Sequence, residues 1–291
     1  MAILPSSETI PRRSERPLRT ADRNKQETQK QWNENPCGAE TVREAIGPGS
    51  LSFYREARRH RYTTYGPWFD SVIRFDEVRN QRVLEIGVGL GSDHFRFAAN
   101  HNTMTAVDLT REHLRHTQRH LALEGLSTEA VFGDAEQLPF DDDCFDVVYT
   151  FGVLHHTTDI RSALVEIRRV LRPGGLALVG LYHRDSYYFW IQKVLVEGLL
   201  KAGFLRRGYR GVMSTVEFRH HTESATPLVQ VFSRAQVRRL FRDWRSVAIE
   251  TCHVELNHFH RLGHLLRGLD RAGLERRFGT GGWYVVARAT K

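Results

Sequence analysis

Cysteine is scarce: three residues in 291, Cys37, Cys144 and Cys252. They lie far apart and never in C-x-x-C spacing, which excludes a disulfide framework or a cysteine zinc site and predicts a reducing cytoplasm. No apolar run reaches the roughly 20 residues that cross a bilayer. No apolar core segment follows the first charges, so no secretory signal is expected. Acid is scarce only at one end. Residues 201–291 carry 17 Lys and Arg against 7 Asp and Glu, whereas residues 1–200 carry 25 against 27. A basic face of this kind suits nucleic acid, an anionic lipid surface or an acidic small molecule, or is simply a solvated arginine-rich surface.

What is present is clearest between Arg82 and Asp108. Val83-Leu84-Glu85-Ile86 is a short apolar run, hence a buried strand. Gly87, Gly89 and Gly91 follow at every second position. Phe95, Phe97, Ala98 and Ala99 then give a helical apolar face, and Met104 to Val107 form a second strand ending in Asp108. Glycine permits a tight turn and close backbone approach to a ligand. The next helix aims its free N–H groups into the crevice, and an acid at the tip of the second strand can accept ribose hydroxyls. This predicts a nucleoside-binding βαβ unit. It lacks the third glycine of G-x-G-x-x-G, where Ser92 stands, so a dinucleotide is disfavoured.

With Glu85 ahead of it, the G-x-G-x-G loop resembles motif I of the class I S-adenosylmethionine-dependent methyltransferases. The rest of the pattern follows in order. A third strand, Ala130-Val131-Phe132, ends in Gly133-Asp134-Ala135-Glu136 and then Leu138-Pro139-Phe140, similar to that family's adenine-binding segment. A fourth, Cys144 to Tyr149, runs through Phe151 into His155-His156. Asp159 caps a helix to Leu171, and Arg172-Pro173-Gly174-Gly175 turns into a strand from Leu176 to Leu181. The likeness spans about residues 82–182. The subtype looks similar to the quinone-biosynthesis (ubiquinone and menaquinone) methyltransferases, which act on small aromatic molecules.

The resemblance implies a Rossmann-like doubly wound α/β sheet, mostly parallel with an antiparallel last strand. It implies S-adenosylmethionine as cofactor and S-adenosylhomocysteine as product. The cofactor-binding residues would be Glu85, Gly87, Gly89, Gly91, Asp108, Leu109, Asp134, Ala135 and Phe151. Tyr62, with Arg61, is a candidate for the cofactor carboxylate.

The flanks suggest a division into a flexible polar tail (1–30), an N-terminal helical cap (31–80), the cofactor-binding core (81–182), a lid or substrate insertion (183–243) and two strands completing the sheet (244–291). Leu51 to Phe69 reads as largely helical and aromatic. Within the insertion, Ser186 to Leu200 reads as a helix, Gly203 to Gly211 as a basic loop, and His220, His221 and Thr222 to Pro227 as a polar loop; Ser233 caps a helix to Phe241.

Methyl transfer to a phenol, enol carbon or amine can require a base, and histidine suits neutral pH. His155 and His156 are the first candidates and His183 the next, because strand ends deliver them to the crevice. No metal is expected: His113, His116 and His120 read as a solvated helical face, and His253, His258, His260 and His264 match no ligand spacing. The expected acceptor is a small molecule, aromatic or acidic, methylated on oxygen, carbon or nitrogen; the oligomeric state is left open. A nucleic-acid methyltransferase is the alternative that the basic third suggests, although there is no RNA-binding module and no N-P-P-Y string after the fourth strand. A cyclase-like protein that binds the cofactor without methyl transfer is another.

Overall fold

Seven strands pair into one sheet among the residues that the computed structural model describes, 10, 12, 22–42, 46–217 and 227–291. They are β1 (Arg82–Ile86), β2 (Thr103–Asp108), β3 (Glu129–Phe132), β4 (Phe145–Phe151), β5 (Leu171–Tyr182), β6 (Ser246–Cys252) and β7 (Tyr284–Thr290). Their order is β3-β2-β1-β4-β5-β7-β6. The first five run parallel, and β7 lies antiparallel between β5 and β6. The chain winds outward from β1 to β3 and then returns to β4. The reversal opens a crevice at the carboxyl ends of β1 and β4, where such sheets bind ligands. Val83, Leu84, Val147, Val148, Leu178 and Val179 are buried, which explains why these strands read as continuous apolar runs and do not alternate.

Helices α1 (Arg23–Glu34), α2 (Leu51–Arg59) and α3 (Phe69–Ile73) precede the sheet, with a π-helical turn, His60–Tyr65, between the last two. Residues 23–30, read as part of a flexible tail, are thus helical. The Asp22 side chain accepts from the Asn24 N–H at 2.8 Å and starts α1. The face that α1 buries carries Lys25 and Gln31, so no apolar periodicity marks it. The rest of the tail falls mostly outside the described residues.

Helices α4 (Ser92–Ala98), α5 (Arg111–Leu123) and α6 (Ile160–Val170) cover the parallel strands. Asp159 caps α6 through the N–H groups of Arg161 and Ser162 at 2.9 and 3.3 Å. Its inner face, Ile160, Ala163, Leu164, Ile167 and Val170, follows the helical repeat; truncating one such leucine costs about 2–5 kcal/mol. The Arg172 to Gly175 turn lies inside β5 as a register break: Phe145 pairs with Leu171 and Val147 with Leu176.

On α5 the expected solvated histidine face is a packing face. The Tyr54 hydroxyl meets His116 Nδ1 at 2.8 Å, and the Tyr54 ring stacks on His120 at 4.7 Å. His120 Nδ1–H donates to the Leu90 carbonyl at 2.9 Å, and burial lowers the pKa of its imidazole to about 4. Leu123 at the end of α5 is exposed.

Beyond β5 come a π-helical segment, Tyr188–Leu200, and helices α7 (Gly203–Ser214), α8 (Arg234–Leu240) and α9 (Arg271–Phe278). The basic loop expected at Gly203 to Gly211 is therefore helix, kinked at Gly208. Ser233 and Gln236 form a capping box at α8. The polar loop read around His220 and His221 lies outside the described residues. No described helix is long and apolar enough to cross a membrane.

Candidate active site

One cavity of about 350 Å³ lies over the switch point, roofed by α1, the turn after it and the segment following α7. The β1–α4 loop forms its floor. Gly87, Gly89 and Gly91 all take positive φ, at 78°, 51° and 74°. At Gly87 a Cβ would stand 2.1 Å from Val153 Cγ2, so only glycine lets this loop pass under the end of β4.

Asp93, in the first turn of α4, organises one end of the cavity. Its buried carboxylate accepts from Arg61 Nε at 2.6 Å and from Arg61 Nη2, from the Tyr62 hydroxyl at 2.5 Å and from the Tyr149 hydroxyl at 2.6 Å. Burial alone would raise its pKa, but the Arg61 guanidinium and these hydrogen bonds more than offset that and hold it below the ordinary value. Glu85, buried beside it with no such cation of its own, is pushed well up by burial and by the Asp93 charge. Glu85 instead meets His94 Nδ1 at 2.9 Å, and burial takes that imidazole down to about 3. Arg61 lines the cavity. Tyr62, the other candidate for the cofactor carboxylate, does not: its hydroxyl donates to Asp93.

Asp108 and Asp134 both line the cavity, with Leu109, Ala135 and Phe151. Asp108 Oδ2 accepts from the Val88 N–H at 2.9 Å and lies 3.1 Å from His113 Nδ1, and Oδ1 accepts from the Thr110 N–H at 2.8 Å. A carboxylate offers about four acceptor positions, so one on Oδ1 stays available to a ribose hydroxyl. His113 Nε2, also in the cavity wall, is buried without a hydrogen-bond partner. Asp134 holds two donors and keeps an acceptor position on each oxygen. Oδ1 accepts from the Glu136 N–H at 2.9 Å and Oδ2 from Lys25 Nζ at 2.5 Å, while Lys25 also reaches Glu136 at 2.7 Å.

The other end of the cavity is aromatic. Tyr65, Tyr182, Tyr188, Trp283 and Tyr284 line it, together with His156, Glu217, His253 and His258. Three rings from three strand ends stack in sequence: His155 on Tyr182 at 3.7 Å, and Tyr182 on Trp283 at 4.4 Å. The Tyr182 hydroxyl donates to Glu217 Oε1 at 2.8 Å.

The histidines divide sharply. His156 lines the cavity. Its Nδ1–H donates to the Leu228 carbonyl at 2.7 Å, which leaves the Nε2 lone pair 3.5 Å from Glu217 Oε1. His155 does not line it. Both its ring nitrogens are buried without a partner, and burial, with His156 adjacent, holds it neutral. His183 also points away: its Nδ1–H donates to the Gly282 carbonyl at 3.0 Å, outside the cavity wall. The expectation that His155 and His183 reach the crevice is thus corrected. Along a strand successive side chains alternate faces, so Tyr182 enters the cavity and His183 cannot.

His253 and His258, which match no ligand spacing in the sequence, are buried in the cavity wall. No local pattern marks them; the one oddity, a positive φ of 73° at His253, is visible only in the fold. With Glu255 they offer three ligand atoms within 4.8 Å, as do His155, His156 and Glu217. In the first group, however, Nδ1 of His253 accepts from Trp68 Nε1–H at 3.1 Å and Nδ1 of His258 from the Glu255 N–H at 3.3 Å. A ring that accepts on Nδ1 in its neutral form carries its proton on Nε2, so a metal bound there would have to displace these Nδ1 contacts.

Residues 84–179 match the family model described as a methyltransferase domain. Over 104 residues, 35% of its length, the chain is 39% identical to the phthiotriol/phenolphthiotriol dimycocerosates methyltransferase 1 of Mycobacterium ulcerans, of which the match covers 38%. Over 102 residues, also 35%, it is 35% identical to the demethylmenaquinone methyltransferase of Clavibacter sepedonicus, of which 41% is covered. The chain thus spans less than half the length of either relative. Across the whole fold it superposes on the PH0226 protein of Pyrococcus horikoshii with a TM-score of 0.54 at 16% identity, covering 90% of this chain and 98% of that one.

Proposed function

We propose that the protein, whose residues 84–179 match a methyltransferase domain, is a class I S-adenosylmethionine-dependent enzyme that moves a methyl group from that cofactor to a small acceptor with an aromatic body and a protonated nucleophile. One observation carries the reading: a single cavity joins the glycine loop, Asp108 and Asp134 to an aromatic end holding His156 and Glu217. When bound, the cofactor supplies an electrophilic methyl on sulfur for in-line displacement. The chain's part is alignment and exclusion of water.

In this reading the free acceptor position of Asp108 takes a ribose hydroxyl and Asp134 takes the adenine amine. Arg61 faces the cofactor carboxylate, and Glu85 and the glycine loop border its methionine end. An acceptor ring lies among Tyr65, Tyr182, Tyr188 and Trp283. The His156 Nε2 lone pair removes the acceptor proton, and Glu217 stabilises the cation that forms. His155 acts through Tyr182, by keeping that ring and its hydroxyl on Glu217.

Calorimetric titration with S-adenosylmethionine, S-adenosylhomocysteine and NAD tests the cofactor. Binding of the first two alone is expected. Labelled methyl donor offered with phenolic and quinone-like acceptors then tests transfer. NAD binding alone would overturn the reading, and cofactor binding without transfer to any acceptor would favour a non-transferring protein.

A further inference from the structure

Six of the ten exposed large apolar side chains among the described residues, Trp190, Leu195, Leu199, Leu200, Leu205 and Tyr209, lie on one stretch of chain; Leu262 and Leu265 form a smaller pair elsewhere. The segment Tyr188–Leu200 and α7 form a helical hairpin that closes tightly: a Cβ at Gly198 would meet Phe204 Cε2 at 2.2 Å, and one at Gly203 would meet the Glu197 carbonyl oxygen at 2.3 Å. At its tip Leu199, Leu200 and Leu205 are 61, 71 and 91% exposed and Tyr209 is half exposed, as is Trp190 near the start of the segment. Lys201, Arg206 and Arg207 are exposed among them. Glu197 is the one acid between residues 195 and 210, and it pairs with Lys201 at 2.7 Å.

We propose that this tip docks on an anionic phospholipid surface. Leucines that project from a tight turn and cover no neighbour lose water most readily by entering the acyl boundary of a bilayer. Cations placed among them meet the headgroup phosphates, and tyrosine and tryptophan suit the interface between the two. A nucleic-acid surface would use the cations and leave the leucines in water. The hairpin also bears on the cavity, since Tyr188 begins it and Val216 and Glu217 follow it. Docking by the tip therefore points the base of the hairpin, with the aromatic end of the cavity, back from the lipid by the length of the hairpin. The inference does not depend on the methyl-transfer reading.

Co-sedimentation of the full chain with vesicles of phosphatidylglycerol and phosphatidylcholine, against phosphatidylcholine alone, tests it. Binding to the anionic vesicles is expected, weakening with salt. Arg206→Ala and Arg207→Ala should each lower the partition coefficient about fivefold. Leu200→Asp with Leu205→Asp should lower it by more than about tenfold, with an unchanged thermal melt. Should the double variant fold poorly, Leu205→Asp alone, at the most exposed position, gives the same reading. Wild-type protein that stays in the supernatant, or leucine variants that bind as well as wild type, would overturn the proposal. So would a wild-type dimer, seen by sedimentation equilibrium, that the leucine pair abolishes while vesicles bind neither form; a second copy would then be the occupant.

Discussion

Asp93→Asn is the sharpest test of how the cavity is held together. The carboxylate accepts four donated hydrogens, two from Arg61 and one each from Tyr62 and Tyr149. Asparagine keeps the shape, but one of its ends is an NH₂ group. Donors on that side then face a donor, and the Arg61 guanidinium loses its counter-charge. Removing one partner of a buried ion pair costs about 3–5 kcal/mol. The Arg61 side chain keeps 25% of its exposure, and that screening brings the expected loss to about 3 kcal/mol. For a chain of this size that lowers the melting temperature by roughly 6–12 °C. The sign with pH is also determined. The folded carboxyl titrates below its ordinary value, so its contribution is present above about pH 4 and is lost as pH falls through the folded pKa. The variant should therefore be less stable than wild type at neutral pH, and the gap should close in acid. Urea denaturation at neutral pH and at about pH 3 measures both. A loss under about 1 kcal/mol at neutral pH, or a gap that widens in acid, would refute the account of Asp93 as a charged hub. Arg61→Met with Asp93→Asn should recover part of the loss, because the stranded cation is gone.

Three further outcomes are expected. Asp108→Ala should weaken S-adenosylmethionine binding by about tenfold or more in calorimetry, since the Val88 and Thr110 N–H groups lose their acceptor along with the ribose; unchanged affinity would remove Asp108 from the ribose site. His156→Ala should leave cofactor affinity intact and lower kcat by about 10²–10⁴ if the acceptor needs a base, whereas His155→Ala should act mainly on stability; equal kinetic losses for the two would contradict their separation by the cavity wall. Lys193 is buried, and burial lowers its pKa to about 8. The unfolded chain binds the extra proton between about pH 8 and 10.5, so stability should rise across that range by up to about 3 kcal/mol on this account. Lys193→Met should raise the melting temperature at neutral pH and flatten the rise.

The parallel half of the sheet was legible because its signals are local. A glycine loop between an apolar strand and a helix, the Asp159 cap, and acids at strand tips need no knowledge of distant residues. The roof was not. Helix α1 turns Lys25 and Gln31 inward, and a helix whose inner face is polar leaves no hydrophobic period to read. The choice among histidines failed for a geometric reason, since adjacent residues point opposite ways at a strand end and about 120° apart in a 3₁₀ turn: His156 and Tyr182 face the cavity, His155 and His183 do not. His253, His258 and Glu217 reach the site only through the long return of the chain after β5, which no spacing records.

The placing of β7 between β5 and β6 has a consequence for how the molecule is made. Strand β6 precedes β7 in the chain, yet in the sheet it touches only β7. During vectorial synthesis the free edge of β5 therefore has no partner, and β6 has no sheet to join, until residues 284–290 are available. Such edges are prone to pair with other chains. Trp283 and Tyr284 arrive with that strand, so the aromatic wall of the cavity is completed in the same step that closes the sheet.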